Sequence, residues 1–389
     1  MPEPRFVALD VHKTYVMIGA VNSDQAIVLT PRRVALTSLE TWCQKYLDST
    51  DEVVLEATTN AWHIHDMLEP LVARVVVAHP YHVKLIASSF VKTDKRDTLA
   101  LARLLAANVI PAIWVPPQHV RELRSVVAHY HRLVAQQTAA RNRLQAVLHR
   151  HNITPPEGGL FTAANRDWWQ ALALTAVEQL RIQHDLATLE HLALQIAQTK
   201  DELAQQSIRD EWLDLTPMLL QIPGVGLIHA MTILSAIGEV TRFPTAKKLV
   251  GYAGLGAKVH ASGNTYRTGN ITKQGRRELR TALIEAAWMA VRYSPLWQAR
   301  FDKLEKRIGK MKAITAIARK LLIVVWHVLT KQEADRNTTA TATERTLMNW
   351  STRHRLAQQV GLKRTTFVHQ RMQAFGVDPP QQRPWQRRC

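Results

Sequence analysis

Three prolines, Pro111, Pro116 and Pro117, stand at a change of hydrophobic period that divides the chain into a part built on strands and a longer part built on helices. From about residue 4 to 117, short β-rich runs (FVALD, YVMIGAV, AIVLT, EVVLE, RVVVA) alternate with helix-like stretches such as SLETWCQKYL and TLALARLLAAN. Three early strands joined by short turns, then strand and helix in alternation, predict a mixed sheet with helices packed on it. Beyond the prolines, Val126, Tyr130, Leu133, Gln137, Ala140, Leu144 and Val147 recur at alternating four and three spacing. Ile182, Leu186, Leu189, Ala193, Ile196, Lys200 and Leu203 do the same. The pattern predicts two long antiparallel helices broken around NITPPEGG. Such a pair suits an insertion packed on its own domain and an intermolecular coiled coil equally; the polar seam positions Gln137 and Lys200 leave both open.

Four segments follow: 1–118, the sheet domain; 119–210, the helical hairpin or coiled coil; 211–330, a mainly α-helical unit containing the Gly-rich run GYAGLGAKVHASGNTYRTGN; and 331–389, a basic C-terminal extension. The extension carries eleven Lys or Arg, Arg383, Arg387 and Arg388 among them, against four acids, and reads as a solvated, partly disordered tail, with a folded DNA reader as the alternative. With 46% hydrophobic residues the 389-residue chain can bury real cores, and a formal charge of +18 points to a polyanion as partner. No apolar run reaches the roughly 18 residues of a spanning helix, and the start MPEPRFVALD lacks the basic and apolar regions of a signal peptide, so a cytoplasmic protein is expected. Cys43 and Cys389 are the only cysteines, which excludes a disulfide framework or a zinc site built mainly of thiolates.

Asp10 ends the first strand and Glu56 ends EVVLE, so neighbouring strands would bring the two carboxylates together. Asp94 and Asp97, in KTDKRDTLALARLLA, are three apart and share a helical face. Four converging acids supply the hard oxygen ligands that hold Mg²⁺ or Mn²⁺ for phosphoryl transfer. Each acid singly could equally be a surface or capping residue. The seventeen histidines, including His12, His63, His65 and His79, show no HExxH context; His63 and His65 would face opposite ways on a strand, and all are read as surface or core residues. Trp62, Trp168 and Trp169 read as packing anchors. The absence of a GxxxxGKS run removes the case for an NTPase.

In the second half, LLQIPGVGLIHAMTILSAIGEVTRF reads as helix, tight turn and helix, with Pro223, Gly224 and Gly226 making the turn; such a helix-hairpin-helix element offers amides to phosphate without reading bases. Between Arg242 and Arg280 there are nine basic residues, including Lys247, Lys248, Lys258, Arg267, Lys273, Arg276 and Arg277, and one acid, Glu278. Within this basic stretch ASGNTYRTGNITKQGRRELR reads as a Gly-rich polar loop entering a helix near Gln274. On residue type alone, Ser262 before Gly263 is a turn serine.

Taken jointly, VALDVHK, LEATTN, RVVVAHP and VKTDKRD, in that order and at those intervals, resemble the transposases of the insertion sequence 110 family, and the likeness extends from about residue 5 to 325. The family commonly has glycine where Thr59 stands. The resemblance implies a RuvC-like, RNase H-superfamily domain in which Asp10, Glu56, Asp94 and Asp97 form a DEDD metal site. The run from GYAGL through the Ser-Gly step to the K-x-G-x-x-x-L-R helix resembles the family's C-terminal domain, which implies that Ser262 is a catalytic nucleophile. Gly263, Lys258, Tyr266, Arg267 and Lys273 would then contact the DNA backbone. It further implies DNA donor and target, a non-coding bridge RNA, homodimers or tetramers, and action at the nucleoid of a bacterial or archaeal cell. A Holliday-resolvase-type nuclease using metal-activated water, and a non-enzymatic nucleic-acid binder, are the alternatives.

Overall fold

The computed structural model describes residues 3–86, 93–263 and 265–380; Val91 and Lys92 of VKTDKRD, and Arg383, Arg387 and Arg388, lie outside the described residues. The chain divides into two compact units between Pro116 and Pro117.

The first unit is a mixed sheet. Strands β1 (Phe6–Val11), β2 (Tyr15–Val21) and β3 (Ile27–Ala35) form an antiparallel meander, followed by helix α1 (Leu39–Tyr46), β4 (Glu52–Glu56), α2 (Ala61–Leu68), β5 (Arg74–Ala78), α3 (Pro80–Ile86) and α4 (Asp94–Ala106). The sheet order is β3-β2-β1-β4-β5, with β1, β4 and β5 mutually parallel. Parallel strands covered on both faces read as unbroken apolar runs, and the side-chain alternation sorts them. Val7, Leu9, Val53 and Leu55 pack with Leu39, Ile64 and Leu68 on one face. Ala8, Val54 and Val76 pack with Leu101, Ala102 and Leu105 of α4 on the other. His63 and His65 lie on helix α2, not on a strand: Ala61, Ile64, His65 and Leu68 form a helical buried stripe, and that periodicity overrides the local alternation in WHIH. Thr59 stands where glycine is common, yet it has no left-handed backbone to require one.

In the second unit, α5 (Gln118–Arg150) packs along α7 (Ala176–Gln206), with the short α6 (Arg166–Gln170) between them in sequence. The antiparallel helical pair is thus an intramolecular one. Its second seam runs through Ile182, Leu189, Leu192, Ile196, Thr199 and Leu203, one residue out of phase with the expected Ala193 and Lys200, both of which are exposed. Leu192 outcompetes Ala193 because it buries more apolar area, and Thr199 tolerates burial by donating its hydroxyl to Gln195 O at 2.7 Å. Trp169 is buried and donates to Leu160 O.

The unit continues through α8 (Asp210–Leu213), α9 (Leu215–Leu220), α10 (Leu227–Ile237), α11 (Ala246–Tyr252), strands β6 (Ala257–Ser262) and β7 (Thr265–Ile271), α12 (Arg277–Tyr293), α13 (Pro295–Ile308) and α14 (Lys310–Lys331). Contrary to the expectation from the sequence, α14 is long and apolar enough to cross a membrane by length and composition. Half of that apolar window is buried: Ile314, Ile317, Leu321, Val325 and Leu329 form a core stripe on a helix packed by α11, α12 and α13. The extension also departs from expectation. It folds into α15 (Ala340–Arg353), α16 (Leu356–Gln359) and α17 (Arg364–Ala374), because Leu347, Trp350, Phe367 and Met372 bury an apolar face among polar neighbours, and Trp350 Nε1 donates to Ser207 Oγ.

Candidate metal centre and nucleic-acid interface

Strand parity decides where the acids go. Asp10 is two residues beyond Ala8 and Glu56 two beyond Val54, so both carboxylates end on the sheet face that α4 covers. The parallel register pairs Leu9 with Leu55, which sets Asp10 and Glu56 side by side at the carboxyl ends of their strands. Asp94 and Asp97 occupy the first turn of α4, where the helix amides favour negative charge. The turn is fixed by Thr93, whose hydroxyl accepts from Arg96 N at 3.3 Å, and by Thr98 Oγ1, which donates to Asp94 O at 2.7 Å.

His12 was missed in the sequence. Its Nε2 lies 3.2 Å from Asp10 Oδ2 and 3.5 Å from Asp94 Oδ2, and one ligand atom from each of the three residues falls within 4.8 Å of the others. Tyr15 braces the group: its hydroxyl donates to Asp94 Oδ2 at 2.9 Å, its ring stacks on His12 with centroids 4.4 Å apart, and the Arg33 guanidinium lies 3.9 Å over that ring. Burial pushes the Asp10 carboxyl above its ordinary range; His12 opposes the shift, and the charges of Asp94 and Asp97 reinforce it. Carboxylates crowded in a half-buried place repel one another, and a divalent cation relieves that repulsion. The carboxylates fit one: Asp10 and Asp94 offer hard oxygens within 4.8 Å of each other. A second cluster, His65, Asp66 and Glu69, comes from a single stretch at the end of α2 with both acids exposed.

The expected Gly-rich loop is instead a β-hairpin. Ser262 ends β6, Gly263 turns with φ +53°, and Thr265 begins β7 opposite Ser262. The signal was present: β-branched and aromatic residues (Val259, Thr265, Tyr266, Thr268) flank a Gly-Asn step, which favours a tight hairpin turn. Both strands are exposed on both faces, so Lys258, Tyr266 and Arg267 stand in solvent. Among the described residues, no hydrogen bond involves Ser262 Oγ. The hairpin's base is tight. Gly275 has φ +100°, and a Cβ there would meet Tyr252 O at 2.0 Å, while Arg280 donates to Ala253 O and Gly275 O at 3.1 Å each. The following helix starts at Arg277, not near Gln274, because Gly275 and the left-handed Lys273 (φ +55°) end the extended run.

The other basic residues divide by role. Lys247, Lys248, Lys273 and Arg277 are exposed. Arg276 is half-buried and donates to Tyr252 Oη at 3.0 Å. Beside it, Arg124 donates to Ser235 O and Ala236 O, and Arg242 to Ile237 O, so the carbonyl end of α10 gathers three guanidiniums. Burial, then the charges of Arg276 and Arg242, lower the Arg124 guanidinium to about 10. Burial pushes the Tyr252 hydroxyl up, but Arg276, Arg242 and Arg124 together bring it below its ordinary range. In the IPGVG turn, Gly224 (φ +86°) is committed to packing, since a Cβ would meet Ala286 O at 2.1 Å; Gly226 caps α10 and is exposed.

Two family models match this chain. One describes a transposase of the DEDD type of insertion sequence 110 and matches residues 7–153, which include all four acids. The other, "Transposase IS116/IS110/IS902 family", matches residues 216–302, which include Ser262. The transposase for insertion sequence element IS1111A of Coxiella burnetii is 23% identical over 86% of this chain and 92% of its own length. A pilin gene-inverting protein of Moraxella bovis is 27% identical over 80% of this chain and 90% of its own. With an acid-bearing sheet unit and a basic helical unit each matched by the corresponding model, the chain belongs to the insertion sequence 110 family of transposases.

Proposed function

We propose that the protein is a DNA recombinase that cleaves and rejoins strands for the movement of an insertion sequence, using the carboxylates of the first unit and Ser262 of the second on one phosphodiester. The observation that carries the reading is the approach of the Asp10 and Asp94 carboxylates to within 4.8 Å of each other on the α4-covered face. The sheet order, with β1 between an antiparallel and a parallel neighbour, supports an RNase H-like, RuvC-like assignment of residues 1–118. Asp10, Glu56, Asp94 and Asp97 would hold Mg²⁺ or Mn²⁺, which supplies charge to activate an attacking hydroxyl and stabilise the leaving oxygen. Residues 119–210 serve as an assembly surface for a dimer or tetramer, 211–330 carry the helix-hairpin-helix and serine elements, and 331–389 add a further basic surface.

Ser262 attacks phosphorus through Oγ. A new Ser-O–P bond forms, the P–O bond to the neighbouring sugar breaks, and the serine proton passes to the departing sugar oxygen or to solvent. Attack by another sugar hydroxyl reverses the step and joins new strands. Lys258, Tyr266, Arg267 and Lys273, with Lys247, Lys248, Arg276 and Arg277, hold DNA backbone beside it, and Gly226 and Gly263 offer close approach. Base choice falls to a bridge RNA pairing with donor and target; the charge of +18 suits a protein that holds RNA and DNA together. The site of action is the nucleoid in the cytoplasm.

One observation favours a second reading. Among the described residues no hydrogen bond engages Ser262 Oγ, whereas Asp10 and Asp94 already stand together beside His12. Denaturing electrophoresis of protein incubated with cognate DNA separates the two. The recombinase gives a covalent protein–DNA adduct that maps to Ser262 and disappears in Ser262→Ala. Cleavage by Ser262→Ala with no adduct establishes the nuclease and rejects the recombinase.

A further inference from the structure

We propose that His12 is a direct ligand of the metal centre and gives it a preference for Mn²⁺ over Mg²⁺. This rests on the metal-binding reading of the carboxylates and deepens it, because His12 lies outside the four acids on which that reading stands. Octahedral coordination at about 2.1 Å puts adjacent ligands about 3.0 Å apart. The separations of 3.2 Å from His12 Nε2 to Asp10 Oδ2 and 3.5 Å to Asp94 Oδ2 are close to that spacing. In the metal-free site His12 Nε2 hydrogen-bonds Asp10 Oδ2, and a cation that takes the place of the shared proton would meet all three side chains. His12 addresses both with the same nitrogen, at the point where their charges converge.

The ring's pose is imposed from outside the acids. Stacking on Tyr15, at an interplanar angle of 20°, fixes its plane, and the same Tyr15 holds Asp94 through its hydroxyl. One residue therefore bears on both side chains, and the Arg33 guanidinium packs over the same Tyr15 ring. Chemistry then gives the selectivity. Mg²⁺ is a hard ion that takes oxygen and water, whereas Mn²⁺ lies further along the divalent series and accepts imidazole readily.

The test is Mn²⁺ binding to the full chain without DNA, followed by electron paramagnetic resonance and, for Mg²⁺, by competition. Bound Mn²⁺ is expected to show nitrogen modulation of its spin echo, with a pattern that changes on [¹⁵N]histidine labelling. His12→Gln, which keeps a polar group of similar reach, removes that modulation and weakens Mn²⁺ about tenfold, while Mg²⁺ affinity moves less than threefold. Mn²⁺ bound without histidine modulation, or modulation that survives in His12→Gln, overturns the assignment and leaves the carboxylate site standing. Mn²⁺ binding that is absent or indifferent to both Asp10→Asn and Asp94→Asn overturns the metal-centre reading itself. His12→Ala with an unchanged unfolding transition confirms that any loss is of ligation and not of fold.

Discussion

Asp94 is capped by its helix turn, clamped by Tyr15 and flanked by His12, whereas Ser262 ends a strand that has solvent on both sides. The first arrangement is prebuilt: its geometry exists before any substrate arrives, so binding energy need not be spent on ordering it. The second is held at its base, by Gly275 and Arg280 among others, while its strands stay exposed on both faces.

The contrast can be broken most directly at the acids. Asp94→Ala should lower strand cleavage by at least about a thousandfold, the loss of several kcal/mol of charge stabilisation, while the unfolding transition remains intact; retained cleavage would place the chemistry elsewhere. Gly275→Ala should cost about 3 kcal/mol in urea denaturation, because its Cβ would strike Tyr252 O in a left-handed backbone. A cost near zero would mean that the hairpin's base is as loose as its tip. Tyr15→Phe keeps the ring stack and removes only the hydroxyl on Asp94, so cleavage should fall about tenfold, the value of one charge-assisted hydrogen bond. An unchanged rate would show that the clamp is dispensable.

The smallest effect concerns the cost of burying a charge. The Asp10 carboxyl titrates above its ordinary range, chiefly through burial. At low pH it is protonated in both folded and unfolded chains and contributes nothing. As pH rises, the unfolded chain releases the proton first, so the fold loses stability up to the raised value and stays lower above it. Without divalent metal, Asp10→Asn should therefore raise the melting temperature at pH 7 by roughly 2–4 °C and leave it unchanged at pH 3. A lower melting temperature at pH 7 would mean that the carboxylate is stabilised, not strained, in the apo site.

Much of the first unit could be read in advance because its signals are local. Strand runs ended by Asp10 and Glu56, and a Thr-Asp-x-x-Asp helix start, carry their own geometry. What escaped depends on separation along the chain. His12 gains its meaning from Asp94, and Tyr15 from the same residue 79 positions away. The β6–β7 strands were hidden by their glycines, although Val259 and Tyr266 carried the β signal. Two positions of the α7 seam moved by one residue, to Leu192 and Thr199, because four-three spacing can run through either neighbour while Ile182, Leu189, Ile196 and Leu203 stay fixed. The folded extension was obscured by its basic residues, while Trp350 and Phe367 determined its packing.

The β6–β7 strands place no side chain in either unit's core. Residues that carry no packing duty, such as Lys258, Tyr266 and Arg267, can be exchanged without endangering the fold. Substitution there should therefore cost little stability, whereas substitution in the acid-bearing sheet, tied to its hydrophobic layers, should cost much more.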